Sequence, residues 1–497
     1  MTLLLALVLL SAAFLALHFV RLKRALHVFQ LEGYKRGRFL RWCRQHLGAA
    51  LFLSPAPNKK PLVMTDRAQR LLVGSMFISV VWLLPAVVKA SGEAATPSVA
   101  AWAFQALLLS VGAPVVIAAA DLFLIPAERS VNRRFMDAAT AKLRELSPLV
   151  IGVTGSFGKT STKFAIQQLL DGGTGIALAT PGSFNTPLGI SRTINERLDP
   201  RHRFFVVEMG AYGEGEIAEL CRFVHPSIGV LTAIGPAHLE RFGSMDAIRR
   251  AKYEIVTSLP EDGIAVMNVD DPEVRTLADS TQRHTVIRYG VDDAGRPDVT
   301  AMDIQTTPAG MVFSIVDSRD GSSLPVHTGL LGDHSVGHVL AAVAVALTTG
   351  SRLNELQQPI EALRPVEHRL QLLEGAGGIT VIDDAYNSNP QGAAAALEVL
   401  CAMPARRRVV VTPGMIELGE LQFAENKRFG ERASAVADVL VVVARTNREA
   451  ITSGARNGGA EVVTVDSLAQ ATEWLQTILG QGDVVLFEND LPDHYES

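Results

Sequence analysis

The pattern of apolar and polar positions divides the chain before any motif is read. Three long apolar runs come first, at residues 2–20, 71–88 and 99–125; runs of roughly 18 or more apolar residues are candidates to cross a bilayer as helices. Residues 127–146 then carry charged and apolar side chains at helical spacing, which predicts a connector helix. From residue 149 to about 363, short β-rich runs alternate with helical stretches. Residues 149–153, 204–208, 228–232 and 264–268 read as strands, 162–170 and 245–259 as helices, and 332–348, rich in Ala and Val, as a buried helix. A second unit of the same kind starts near residue 364, with strands expected at 379–383, 408–412, 439–443 and 484–487. Such alternation predicts mostly parallel sheets covered by helices on both faces.

Charge orients the first quarter. Ten lysines and arginines lie from Arg21 to Lys60, between the first and second runs, whereas the link after the second run holds only Lys89 and Glu93. Arg129, Arg133 and Arg134 follow the third run. By the positive-inside rule the N-terminus is outside and everything after about residue 126 is cytoplasmic. Arg21, Lys23 and Arg24 follow the first run where a cleaved signal peptide would carry its charge first, so an uncleaved anchor is expected. The expectation is a multi-pass protein of the inner (plasma) membrane, with the lipid bilayer as a partner; core helices of a soluble domain are the plainer alternative. Pro114 predicts a kink in the third run, and Asp121 is expected at the membrane interface, a buried functional carboxylate being the alternative. A mean hydropathy of +0.22 reflects these runs. The net charge of −5 argues against a nucleic-acid partner. Cys43, Cys221 and Cys401 are too far apart for a metal or redox motif and read as ordinary thiols.

Candidate chemistry begins at residues 150–163, V-I-G-V-T-G-S-F-G-K-T-S-T-K. A strand, a turn loosened by Gly155 and Gly158, and a helix start form the arrangement that holds a polyphosphate. Gly155, Ser156, Phe157, Gly158, Lys159, Thr160 and Ser161 would cradle the nucleotide, with Lys159 as a point charge and Thr160 able to ligate Mg²⁺. Val153 stands where the strict phosphate-loop pattern has glycine, so the motif is the tighter T-G-x-x-G-K-[ST]. The fold class is therefore α/β: N-terminal transmembrane helices, a P-loop parallel-sheet ATPase domain, and a C-terminal Rossmann-like α/β domain. The expected divisions are 1–126 for the membrane module, 127–148 for the connector, and 149–363 and 364–497 for the two α/β domains. No G-x-G-x-x-G follows a strand of the last domain, so no nicotinamide cofactor is assigned.

Further polar clusters fall at strand ends, where open α/β sheets place ligands. V-E-M-G offers Glu208, G-P-A-H-L-E offers His238, M-N-V-D-D-P offers Asn268, and D-D-A-Y-N-S-N-P begins at Asp383. Singly, each has a plain alternative: a strand-end charge, a loop histidine, a turn former, a helix N-cap formed by Asp383 and Asp384. Together, in order behind the glycine turn, they resemble the Mur ligase family, most nearly its D-alanyl-D-alanine-adding MurF branch. The motifs F-N-T-P-L-G at 184–189, A-K-Y-E-I at 251–255, G-D-H at 332–334, E-H-R-L at 367–370 and G-M-I-E-L-G-E at 414–420 extend the likeness over residues 150–431.

The resemblance implies ATP-dependent amide formation on a cell-wall precursor, with a carboxylate activated as an acyl phosphate and attacked by the amine of an amino acid or dipeptide. It implies Lys159 on the β- and γ-phosphates, Thr160 and Glu208 on one Mg²⁺, and His238 on a second. It further implies Asn268 at the adenine, Arg369 and Asp384 reaching phosphate and ribose, and Asn185, Asn387 and Asn389 by the substrates. Lys252 matches a position carbamylated in several relatives; the alternative is an unmodified lysine meeting phosphate. Three departures bear on the substrates. The family's N-terminal UDP-sugar-binding domain is absent, its place taken by the membrane module. Ser335 and His338 replace asparagines, and F-E-N-D-L-P-D at 487–493 replaces a Lys-Gly-Ser-type turn, either to receive a cationic amine or as a solvated tail. Two other readings remain beside the precursor ligase: a membrane-bound ligase acting on a lipid-linked or polymeric acceptor of the capsule or polyglutamate type, and a non-catalytic ATP-binding scaffold.

Overall fold

The computed structural model describes residues 2–52, 61–89, 95–173, 175–307 and 310–491. Lys59, Lys60, Glu93, Pro492 and Asp493 lie outside these. The chain separates into two compact units, Met1–Arg134 and Phe135–Ser497.

The first unit is helical. Helices Leu5–Leu31 and Asp66–Lys89, with hydropathies of 2.2 and 2.4, are long and apolar enough to cross a membrane. The third apolar run differs from expectation: Val99–Val111 and the helix from Ala113 are bent by 79° at Gly112. Pro114 falls in the first turn of the second helix, where a missing N–H costs nothing, so it marks a start rather than a kink. That helix, Ala113–Leu146, runs on through Pro126. The expected connector is thus its C-terminal half and not a separate element. Outward-facing Leu17, Val73, Phe77 and Phe123 are each more than two-thirds exposed, while Leu22, Leu26, Phe29, Leu71 and Ile117 pack inside. Asp121 is buried and takes Arg36 at 3.1 Å and Arg67 at 3.0 Å; Glu128 takes Arg70 at 2.6 Å.

The second unit holds two sheets. In the first, β1 (Leu149–Thr154) lies between β3 (Phe204–Glu208) and β4 (Ile228–Leu231). The edge strand β2 (Ala177–Ala179) lies beyond β3, and β5 (Ile264–Asn268) and β6 (Thr285–Tyr289) follow β4, all parallel. The sequence pattern did not predict the extension in which β7 (Val299–Thr307) joins β6 in parallel and β8 (Gly310–Asp317) and β9 (Ser322–Thr328) follow antiparallel, completing nine strands among the described residues. Side chains alternate across β1. Ile151 and Val153 meet helices Lys159–Asp171 and His334–Thr348, whereas Val150 meets Met245–Thr257. Burial on both faces explains why β1 and β3 are apolar up to their last residues, Thr154 and Glu208, rather than alternating. His334–Thr348 is apolar all round because it is enclosed, ten of its fifteen residues being buried.

The second sheet runs β10-β11-β15-β12-β13-β14. Here β11 (Thr380–Asp384), β12 (Arg407–Thr412), β13 (Val439–Val443) and β15 (Asp483–Glu488) fall where the sequence placed strands. The antiparallel edge β10 (Gln371–Glu374) and the parallel edge β14 (Glu461–Val465) were not foreseen; both are too polar to read as buried strands.

Candidate active site

The glycine turn between β1 and its helix is built by conformation and by clamping. Gly155 (φ 154°) and Gly158 (φ 76°) both adopt backbone that a side chain rarely takes. A Cβ on Gly155 would lie 2.1 Å from Thr232 Oγ1. The segment after β4 holds the turn in place. Thr232 donates its hydroxyl to Phe157 O at 2.5 Å, Ser156 N–H donates to Ala233 O at 2.7 Å, and Ser156 Oγ donates to Gly235 O at 3.0 Å. Gly158 starts the helix with no side-chain cap, so the amides of the first turn remain open to an anion. Lys159 folds back on Gly155 O at 2.7 Å and Ser156 O at 3.0 Å. Burial lowers its pKa; Glu208 opposes this and Arg369 adds to it.

Register sets the partner of this turn. Glu208 ends β3 directly beside Val153 of β1 and is almost fully buried. Thr160 donates to Glu208 Oε2 at 3.0 Å, and Asn185 Nδ2 donates to Oε1 at 3.3 Å. Thus three residues expected from the sequence meet around one carboxylate. A fourth was missed: Lys163, fully buried, donates to the same Oε2 at 3.1 Å and to Gly182 O at 2.5 Å. Its signal was its place three residues after Thr160, on the same face of the helix.

The pair Thr160–Glu208 suits Mg²⁺, which keeps several waters and takes one or two carboxylates together with phosphate oxygens. No group of three His, Cys, Asp or Glu side chains forms a ready metal cage among the described residues, so a divalent cation here would complete its shell with waters or phosphate oxygens.

His238 stands elsewhere in the network. It adopts a left-handed backbone (φ 57°) after β4, and its Nδ1 is hydrogen-bonded to Glu417 of the second sheet's loops. Arg241 also donates to Glu417, at 2.5 Å, and lies over Tyr212. No hydrogen bond joins His238 to Glu208 among the described residues. Glu417, held down at about 2, lies in the G-M-I-E-L-G-E motif but was given no role from sequence: burial raises its pKa, but the hydrogen bond and charge of His238, with Arg241, outweigh it. Lys252 is buried over the Phe242 ring, and burial, reinforced by the Lys159 charge, lowers its pKa to about 7.

Asn268 closes a turn, donating to Thr232 O at 2.8 Å and accepting from Asp270 N–H at 3.2 Å; through Thr232 it is tied to the glycine turn. Arg369 stacks on Tyr386 and donates to Asn387 O at 3.0 Å; burial lowers its pKa. Asp384 accepts from Leu370 N–H at 3.2 Å, and burial with the neighbouring Glu488 raises it to about 7. The N-cap of helix Pro390–Ala402 is Asn389, whose Oδ1 accepts from Gly392 N–H at 3.0 Å. Asp383, offered with Asp384 as a cap, instead holds His368 at 2.7 Å.

Both sequence departures have structural roles. His338 Nδ1 is 2.9 Å from Thr162 Oγ1, and a Cβ on Gly158 would lie 2.9 Å from the His338 ring. Glu488 is no solvated tail: it is fully buried at the end of β15, accepting from Thr412 at 2.6 Å and bonded to Ser388. Burial raises its pKa, and the two hydroxyls limit the rise.

Residues 153–346 match the Mur ligase middle domain, and residues 368–488 match the Mur ligase, glutamate ligase domain. The UDP-N-acetylmuramoyl-tripeptide–D-alanyl-D-alanine ligase of Mycobacterium leprae is 35% identical over 71% of this chain and 72% of its own length. The Escherichia coli enzyme of the same name is 32% identical over 70% and 77%. The crystal structure of MurF from Thermotoga maritima in complex with ADP superposes with a TM-score of 0.64 at 28% identity, covering 72% of this chain and 80% of that one. MurF from Acinetobacter baumannii gives the same TM-score and identity. With these likenesses spanning both sheets and every motif around the glycine turn, the chain belongs to the Mur ligase family.

Proposed function

We propose that this chain is a MurF-like ATP-dependent ligase of peptidoglycan precursor synthesis that joins an amino acid or dipeptide amine to a precursor carboxylate. The observation that carries the reading is the meeting of Thr160, Glu208 and Asn185 beside the open, lysine-bearing glycine turn. A carboxylate attacking a phosphate brings anion to anion, so the protein contributes mainly positioning and charge neutralisation. Lys159 leaves the loop carbonyls to meet the β- and γ-phosphates, and the first-turn amides hold the remaining oxygens. Arg369 brings a second cation from the second sheet, and Asp384 serves the ribose. Asn268 lines the adenine side. Bound Mg²⁺ on Thr160 and Glu208 supplies neutralisation of phosphate charge; His238 serves a second cation. Lys252, whose pKa of about 7 leaves a large fraction of its amine neutral near pH 7, is suited to carbamylation, which requires the free amine. Asn185 stands at the carboxylate substrate; Asn387 and Asn389 flank the amine.

The phosphate-loop domain spans residues 149–363 and the Rossmann-like domain 364–497. The helices of residues 1–126 form a membrane module of three crossings, the bent pair being the third, with the connector at 127–148 and the catalytic domains cytoplasmic. Its exposed apolar side chains and the basic residues after Val20 support this placement. The acceptor is then presented at the bilayer. In the test, full-length protein in detergent with Mg²⁺ and ATP receives D-alanyl-D-alanine and either a UDP-linked or an undecaprenyl-linked peptide precursor. ADP release dependent on both substrates is expected in at least one arm. Absence of release in both refutes the ligase, and release only with the lipid-linked precursor selects the membrane-presented acceptor.

A further inference from the structure

Lys163 is, among the described residues, the one fully buried ammonium that touches the carboxylate assigned above to the metal. Its partners are fixed on three sides. Nζ donates to Glu208 Oε2 at 3.1 Å and to Gly182 O at 2.5 Å, and it lies 4.2 Å from the centre of the Phe164 ring. Gly182 precedes the loop that carries Asn185, whose amide takes the other oxygen of the same carboxylate. Thr160, on the same helix as Lys163, takes Oε2 as well. One ammonium therefore ties together the phosphate-binding helix, the end of β3 and the substrate-side loop.

The electrostatic consequence concerns when a cation can bind. A buried carboxylate attracts a divalent ion strongly only while it is unpaired, because solvent screens little at such a site. Here the carboxylate is already paired with a buried ammonium whose other hydrogen bond goes to a neutral carbonyl; burial works against that ammonium's charge, and the charge and hydrogen bond of Glu208 work to retain it. Thr160 adds a dipole but no charge. Until phosphate oxygens arrive, the site has no net negative charge to offer. Resting on the nucleotide reading above, we propose that Lys163 is a positioning residue that makes metal binding conditional on nucleotide: it holds Glu208 in place and, by offsetting its charge, excludes Mg²⁺ that arrives without a nucleoside di- or triphosphate. A structural role alone would anchor Glu208 without altering the order in which metal and nucleotide bind.

The test measures Mn²⁺ binding by the electron paramagnetic resonance of free Mn²⁺, on the full-length protein in detergent, with and without ADP. In the wild type, ADP should tighten Mn²⁺ binding by tenfold or more, beyond what ADP itself binds. Lys163→Met, which keeps the length of the stem and removes the charge, should tighten nucleotide-free Mn²⁺ binding on the order of tenfold. Adding Glu208→Gln should abolish that gain, and Lys163→Arg should behave as the wild type. An unchanged nucleotide-free affinity in Lys163→Met, with ADP-dependent binding retained, overturns this proposal alone. Wild-type protein binding Mn²⁺ equally well with and without ADP overturns it even if the methionine variant does not fold. A wild type that binds no Mn²⁺ with ADP overturns the nucleotide reading and this proposal together.

Discussion

Lys252 gives the most quantitative prediction. Its amine is enclosed, with only 3% of the residue exposed, and the Lys159 charge acts on it from the glycine turn. Both effects favour the neutral form, and they bring its pKa to about 7. At pH 7.4 roughly 70% of such amines are neutral, against about 0.1% for an ordinary lysine near 10.4, a gain of several hundredfold. Only the neutral amine attacks carbon dioxide, forming the N–C bond of a carbamate and releasing one proton. Full-length protein equilibrated with ¹³C-bicarbonate should therefore show one carbamate resonance, absent from Lys252→Arg. Its intensity should fall as pH drops through about 7, not through the range of a free lysine. The same shift sets a stability linkage. Between about 7 and 10.4 the unfolded chain holds a proton that the folded chain has lost, so stability rises with pH there by at most about 1.4 kcal/mol per unit. That slope should be missing from Lys252→Met. A resonance that survives in Lys252→Arg, or none at saturating bicarbonate, would refute the carbamate. An equal pH slope in wild type and Lys252→Met would refute the environment inferred for the amine.

Glu417→Gln should loosen the contact between the two sheets' loops. Its carboxylate is half-buried between His238 and Arg241, a setting between exposed and buried pairs that places the cost at about 1–3 kcal/mol. Small-angle scattering should show a larger mean radius, and Arg241→Ala should add little to it. Because Glu417 is held at about 2, the carboxylate stays ionised below the usual glutamate range; its stabilisation is full above about 4.5 and is lost as pH falls from there through about 2. Gly155→Ala should abolish ADP binding by calorimetry and lower stability by about 2 kcal/mol or more, through strained backbone and the clash with Thr232. Glu488→Ala should lower the unfolding free energy by about 2–4 kcal/mol, leaving Ser388 and Thr412 without their acceptor.

Most parallel strands were legible because burial on both faces leaves apolar runs, as in β3 and β13; β2, only three residues long, and β6, buried on one face only, were not read as strands. The edges were not: β10 and β14 are exposed on a face and carry polar residues such as Gln371 and Glu461, which read as loop. At the site, residues joined to the glycine turn by sequence or adjacent strand ends, such as Thr160 and Glu208, declared themselves. Glu417 and Thr232 did not, since their partners come from segments whose approach only the fold determines. Lys163 was visible in the motif, but a lysine on a helix ordinarily reads as solvated, and its burial follows from the crowding of β3 and the Gly182 loop around it.

Thr232 also has a consequence for biosynthesis. The hydroxyl that braces the turn at Phe157 sits 75 residues further along the chain. Chains emerge from the ribosome N-terminus first, so a nascent polypeptide that has exposed its Walker-like segment but not yet β4 lacks the brace. ATP can reward only a polypeptide that has been translated past this threonine, by which point the hydrophobic helices have long since left the exit tunnel.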